Sequence, residues 1–128
     1  MGTVNRRPTL LIVDDEPRIS DVLTEALEPS YVILTAADGE TALERVAHDA
    51  PDLMLLDINL PRMSGLEVLR RVRLIRPDLP VIMITASTAH FEITAALMRG
   101  AFGYVPKPFT LAYVEHMLAA ATEQRARD

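Results

Sequence analysis

The sequence predicts an α/β domain on a parallel sheet, because five short, mostly apolar runs alternate with five segments of helical periodicity. Each run is four or five residues long, too short for a helix, and Leu53 to Leu56 is apolar enough for a strand buried on both faces. Four of the runs end on residues able to do chemistry: Asp14 and Asp15, Asp57, Thr85, and Lys107.

The first strand is Leu10 to Val13, closed by Asp14, Asp15 and Glu16. Pro17 suits the first turn of a helix, where its missing N–H costs nothing, and Ile19, Leu23, Ala26 and Leu27 form an apolar stripe that Pro29 ends. Tyr31 to Thr35 is β-branched and aromatic enough for a second strand. After the Asp38-Gly39 turn, Ala42, Leu43, Val46 and Ala47 mark a helix ended by Pro51. Leu53 to Leu56 is the third strand and closes on Asp57; Asn59, Pro61, Ser64 and Gly65 then break the pattern.

Ser64 and Glu67 have capping-box spacing, opening a helix with Leu66, Leu69, Val72 and Arg76 on one side and Arg70, Arg71 and Arg73 left to solvent. Val81 to Ile84, ending at Thr85, is the fourth strand. Residues 86–89 lead to a helix with the stripe Ile93, Ala96 and Leu97, stopped by Gly100. Phe102 to Val105 is the fifth strand, and Pro106 and Pro108 around Lys107 suit a sheet edge. Thr110 caps the last helix, which carries Leu111, Val114, Leu118 and Ala121.

At 128 residues the chain is long enough for one sizeable core. Residues 1–8 read as a flexible arm, 9–121 as the domain, and 122–128 as a polar tail or the start of a linker. The net charge is −5 and no stretch interleaves basic with aromatic residues, which argues against direct nucleic-acid binding. The absence of cysteine excludes disulfides and thiol catalysis and is compatible with a reducing cytoplasm. Arg6 stands where a myristoylation signal needs Ser or Thr, and no run approaches the ~18 apolar residues of a membrane span. His48, His90 and His116 share no ligand spacing and read as surface or boundary residues.

In an open parallel sheet the C-terminal strand ends lie on one edge, where ligands bind. Three carboxylates gathered there would repel, and a hard divalent cation such as Mg²⁺ resolves the conflict by taking one or two of them while keeping several waters. Lys107 adds a positive charge and Thr85 a hydroxyl, the complement that phosphoryl transfer uses. Singly, each has a plainer reading: Asp14, Asp15 and Glu16 as helix-capping residues, Asp57 as a turn residue, Thr85 as a strand end, and Lys107 as a solvated edge charge. Their coincidence at four strand ends favours a site.

The motifs VDDEP, LLDINLPRMSGLEVL, ITAS and YVPKPF, in that order, resemble those of receiver domains of two-component response regulators over about residues 9–121. The resemblance implies a flavodoxin-like (βα)5 doubly wound parallel sheet in the order 2-1-3-4-5. It implies Asp57 as phosphoacceptor, with a phosphohistidine of a sensor histidine kinase or phosphotransfer protein as donor. Asp15 would ligate Mg²⁺ directly, Asp14 through water, and the backbone carbonyl of Asn59 would add an oxygen. Lys107 would pair with phosphoryl oxygens and precede a cis bond to Pro108. Thr85 would move toward the phosphoryl group and Tyr104 turn inward behind it, changing the face of the fourth helix, fifth strand and last helix. The implied partners are a downstream effector protein or fused effector domain, or a second copy of the chain joined on phosphorylation. No outside substrate, direct nucleic-acid contact or membrane contact is expected, and the location expected is cytoplasmic.

Phe102 and Gly103 stand where regulators that pair through a charge-laced face carry acidic residues. Asn59 and Ser87 occupy the positions that tune dephosphorylation in the family. A phosphohydrolase of the haloacid-dehalogenase type would need an aspartate in place of Asn59, and a flavin or nucleotide binder would need a phosphate loop where Asp14, Asp15 and Glu16 stand. The remaining alternative is a degenerate receiver acting as a constitutive protein-interaction module, which the intact set of site residues disfavours.

Overall fold

The structure, a computed structural model, describes residues 6–86 and 90–127. Residues 1–5 of the expected arm, Ser87 and Asp128 therefore lie outside the described residues. The elements run β1 (Thr9–Val13), α1 (Pro17–Leu27), β2 (Val32–Ala36), α2 (Gly39–Asp49), β3 (Leu53–Asp57), α3 (Gly65–Ile75), β4 (Val81–Thr85), α4 (His90–Met98), β5 (Gly103–Pro106) and α5 (Leu111–Arg127). All four strand pairings are parallel, in the order β2-β1-β3-β4-β5, the flavodoxin-like arrangement. The order reverses between β1 and β3, so a crevice opens beyond their C-terminal ends.

Strand alternation divides the core into two layers. Leu11, Val13, Met54, Leu56, Val81 and Met83 face one side and pack with Ala42, Val46, Val68, Leu69, Val72 and Ala96. Leu10, Ile12, Leu55, Ile82, Ile84 and Val105 face the other and pack with Leu23, Leu27, Val114, Leu118 and Ala121. β1, β3 and β4 are central and covered on both sides, which explains why their sequences carry no polar alternation. Pro106 ends the edge strand β5, where a missing N–H breaks no ladder between strands.

Three helix starts are capped from within the chain. Asp38 Oδ1 accepts from Thr41 N at 2.8 Å, Ser64 Oγ from Glu67 N at 3.3 Å, and Thr110 Oγ1 from Tyr113 N at 3.2 Å. The reciprocal half of the expected capping box does not form. The Glu67 carboxylate instead accepts from Arg70 and Arg71, which hold its pKa down at about 2.

Three expectations about faces need correction. Arg73, expected in solvent, folds over the end of α3 and donates to backbone carbonyls. In α4 only Ala96 of the expected stripe is buried and Leu97 is 43 % exposed, because the helix packs chiefly against α3 and only lightly on the strands. Leu111 is likewise exposed at the start of α5, while Val114, Leu118 and Ala121 are buried. Beyond Ala121, α5 continues to Arg127, and Arg125 pairs with Asp52 at 2.6 Å. Within the expected arm, the Pro8 carbonyl accepts from Val32 N and Arg7 Nη1 donates to Glu28 O.

Candidate functional site

The crevice at the switch point is built from the ends of four strands. Val13 and Leu56 are partners in the β1–β3 register, so the residues after them, Asp14 and Asp57, arrive side by side. Each is 3 % exposed. Lys107, in the loop after β5, reaches across β4 and places Nζ 2.8 Å from Asp14 Oδ2 and 3.0 Å from Asp57 Oδ2, with Glu16 Oε1 at 3.5 Å. Its peptide bond to Pro108 is cis, and its N–H donates to Thr85 O at 2.8 Å, tying the β5 loop to the end of β4.

The loop after β3 is held against Asp57. Asn59 N donates to Asp57 Oδ1 at 3.0 Å, and Gly65 N donates to Ile58 O at 2.7 Å. Gly65 is required by contact: a Cβ there would lie 2.1 Å from Asp57 O and 2.7 Å from Ile58 Cα. The start of α3 is thus pressed against the backbone that presents the carboxylate. Glu16 N donates to Asp14 Oδ1 at 2.9 Å and fixes the other acid.

Burial pushes the Asp57 carboxyl above its usual pKa, while the Asn59 N–H and Lys107 pull it back and Asp14 adds to the rise. Burial alone would lower Lys107, but its bonds to Asp14 and Asp57 outweigh this and leave its ammonium raised. Asp15 is exposed, and ligand oxygens of Asp14, Asp15 and Asp57 all lie within 4.8 Å of one another. Three hard oxygen donors from two strand ends, one open to water, fit a divalent cation that keeps part of its hydration shell. Asn59 is exposed beside them, with its backbone in reach of the same crevice.

Thr85 is 1 % exposed at the end of β4. Tyr104 is half-buried on β5 and packs against the layer that contains Met83, its partner in the β4–β5 register. By strand alternation Thr85 and Tyr104 share one sheet face on adjacent strands. In the β4–β5 register Tyr104 stands level with Met83, two residues before Thr85. Sequence reading missed Glu16 as a third neighbour of Lys107 and the steric need for Gly65, since neither pattern nor propensity encodes contacts across the crevice. A cleft of about 760 Å³ opens at the opposite end of the sheet, beside Thr9 and Leu53, away from these carboxylates.

The model of the response regulator receiver domain family matches residues 10–119. Over 111 residues the chain is 41 % identical to "Response regulator MprA" of Mycobacterium ulcerans, covering 86 % of this chain and 47 % of that protein. It is also 41 % identical over 113 residues to "Probable transcriptional regulatory protein TcrX" of Mycobacterium tuberculosis, covering 88 % and 48 %. The chain thus spans about half the length of these curated relatives. Among solved structures, a CheY-like response regulator receiver domain protein from Methanospirillum hungatei superposes with a TM-score of 0.92 at 28 % identity, covering 95 % of this chain and 98 % of that one. The receiver domain of NtrX from Brucella abortus superposes with a TM-score of 0.84 at 33 % identity, covering 89 % and 98 %. Among the described residues no helix is long and apolar enough to cross a membrane. With its fold, strand order and sequence match all in agreement, the chain belongs to the response regulator receiver domain family of two-component signal transduction.

Proposed function

We propose that this receiver accepts a phosphoryl group on Asp57 from a phosphohistidine of a sensor histidine kinase or phosphotransfer protein, in a Mg²⁺-dependent reaction. The observation that carries the proposal is Lys107 Nζ bridging Asp57 and Asp14, with Asp15 close by. An Asp57 carboxylate oxygen attacks phosphorus. The new P–O bond forms as the P–N bond breaks, and its electron pair leaves on the imidazole nitrogen. Lys107 is within reach of the oxygens that gain charge, and the Asn59 N–H holds the second Asp57 oxygen so that the attacking one keeps its direction. Asp14, Asp15, Asp57 and the Asn59 backbone carbonyl would hold Mg²⁺, which supplies positive charge to the transferring group when bound. The domain would thus catalyse its own modification and its reversal without turning over an outside substrate.

The acyl phosphate carries more charge than the carboxylate and three acceptor oxygens, by analogy with hydroxyl phosphates. The Thr85 hydroxyl would donate to one of them, and the inward movement of its loop would favour an inward Tyr104 on the same sheet face. The α4–β5–α5 face would then favour a downstream effector protein, a fused effector domain or a second copy of the chain, in the cytoplasm.

Intact mass after incubation with acetyl phosphate, with and without Mg²⁺, tests the transfer. A Mg²⁺-dependent gain of one phosphoryl group that Asp57→Asn abolishes is expected; no gain would overturn the proposal. Thr85→Ala is expected to keep that gain while losing phosphorylation-dependent partner binding, and unchanged binding would refute the switch.

A further inference from the structure

α4 is weakly anchored along its length but held at one end. Of its nine residues only Ala96 is buried, while Phe91 and Met98 are 79 % and 83 % exposed. At the C-terminal end the Arg73 guanidinium donates through Nη1 to Gly100 O at 3.5 Å and Pro77 O at 3.2 Å, and through Nη2 to Leu79 O. One side chain of α3 therefore joins the end of α4 to the loop that leads into β4.

This guanidinium is held by carbonyl oxygens, and among the described residues no carboxylate forms an ion pair with it. Its Nε is buried without a partner, and burial pushes its pKa down. A cation in such a place gains from the partial negative charge at a helix C-terminus, and the planar fork reaches several acceptors that one ammonium cannot. Gly100 has φ +95°, and a Cβ there would lie 3.2 Å from Arg73 Cδ. The left-handed turn that ends α4 is thus packed directly on the arginine stem.

The opposite end of α4 follows β4 and Thr85 in the chain. We infer that Arg73 is a positioning residue that pins the C-terminal end of α4, so that rearrangement begun at Thr85 moves the N-terminal end of the helix about a fixed far end. The inference rests on the switch reading given above. It makes Arg73 the residue that decides how much of the α4 face changes between states.

Amide hydrogen exchange resolved by residue, on the full chain, tests it. With Mg²⁺ and beryllofluoride as the phosphoryl mimic, wild-type protein is expected to change exchange at residues 91–94 and little at 99–101. Arg73→Met is expected to speed exchange at 99–101 by roughly tenfold or more in the resting protein, and to let the mimic's effect spread to them. Arg73→Lys is expected to behave like Arg73→Met, because the charge remains and the fork is lost. Two results would overturn the inference: wild-type exchange at 99–101 in both variants, or an equal increase there and in β1 and β3, the mark of general destabilisation. If beryllofluoride shifts no amide of the wild type, the phosphoacceptor reading fails instead, and the clamp is still judged from the resting proteins.

Discussion

Replacing Lys107 with methionine keeps most of the bulk of the stem and removes the cation between two buried carboxylates. Asp14 and Asp57 are each 3 % exposed, and Nζ lies 2.8 and 3.0 Å from them. Deleting one partner of a buried ion pair costs roughly 3–5 kcal/mol; because exposed Asp15 opens this crevice to water, the lower end, about 3 kcal/mol, applies. With a urea m-value of about 1.5 kcal/mol per molar, the unfolding midpoint should fall by roughly 2 M near neutral pH. The deficit should also depend on pH. The Asp57 pKa is already raised by burial, and losing Lys107 raises it further. A carboxyl raised in the folded state favours folding below its unfolded pKa of about 3.9, and that contribution is lost as pH rises through the folded value. The gap between variant and wild type should therefore narrow as pH is lowered toward about 5. Lys107 itself has a raised pKa, so its charge is lost only above about 10.4, outside this window. Urea titrations at about pH 7.5 and pH 5 in Mg²⁺-free buffer measure both effects. A deficit below about 1 kcal/mol at the higher pH, or the same deficit at both, would refute the assignment of Lys107 as the counter-ion of a buried acid pair.

Three further outcomes follow from the same geometry. Gly65→Ala should cost about 3 kcal/mol or more in urea unfolding, since the added carbon meets Asp57 O at 2.1 Å and no side chain can yield; a loss under about 1 kcal/mol would show that α3 moves freely away from the site. Millimolar Mg²⁺ should raise the wild-type thermal midpoint through its preferential binding to the folded chain, and Asp15→Asn should remove most of that increase; an undiminished increase would place the ion elsewhere. The Glu67 carboxylate should titrate at about 2 by NMR, with its contribution to folding present above the usual glutamate pKa and lost as pH falls toward 2; Arg70→Ala should move it back up, and an unmoved value would mean that Arg71 alone sets it.

Much of the fold was legible because its signals are local or periodic. A four-residue apolar run ended by Asp57 needs no partner to be recognised as a buried strand, and Pro17, Ser64 and Gly100 mark helix limits by their own local chemistry, Ser64 through its hydroxyl. The strand order was legible only through the motifs as a set, and the site through the coincidence of chemical residues at four strand ends, since no single carboxylate identifies its neighbour. Periodicity failed where a helix packs only lightly on the sheet, as α4 does, and where a long side chain reaches beyond its own element to backbone carbonyls, as Arg73 does.

By itself, then, the sequence determined the alternation of strands and helices and which residues end each strand, because apolar periodicity and turn chemistry act over a few residues. Only the tertiary structure decided that Lys107 lies between Asp14 and Asp57, that Gly65 is pressed on the Asp57 backbone, and that Arg73 holds the end of α4. Lys107 and Arg73 join segments far apart in the chain and Gly65 folds a loop back on β3, and the energy of each depends on burial and ångström-scale approach, which exist only once the chain has folded.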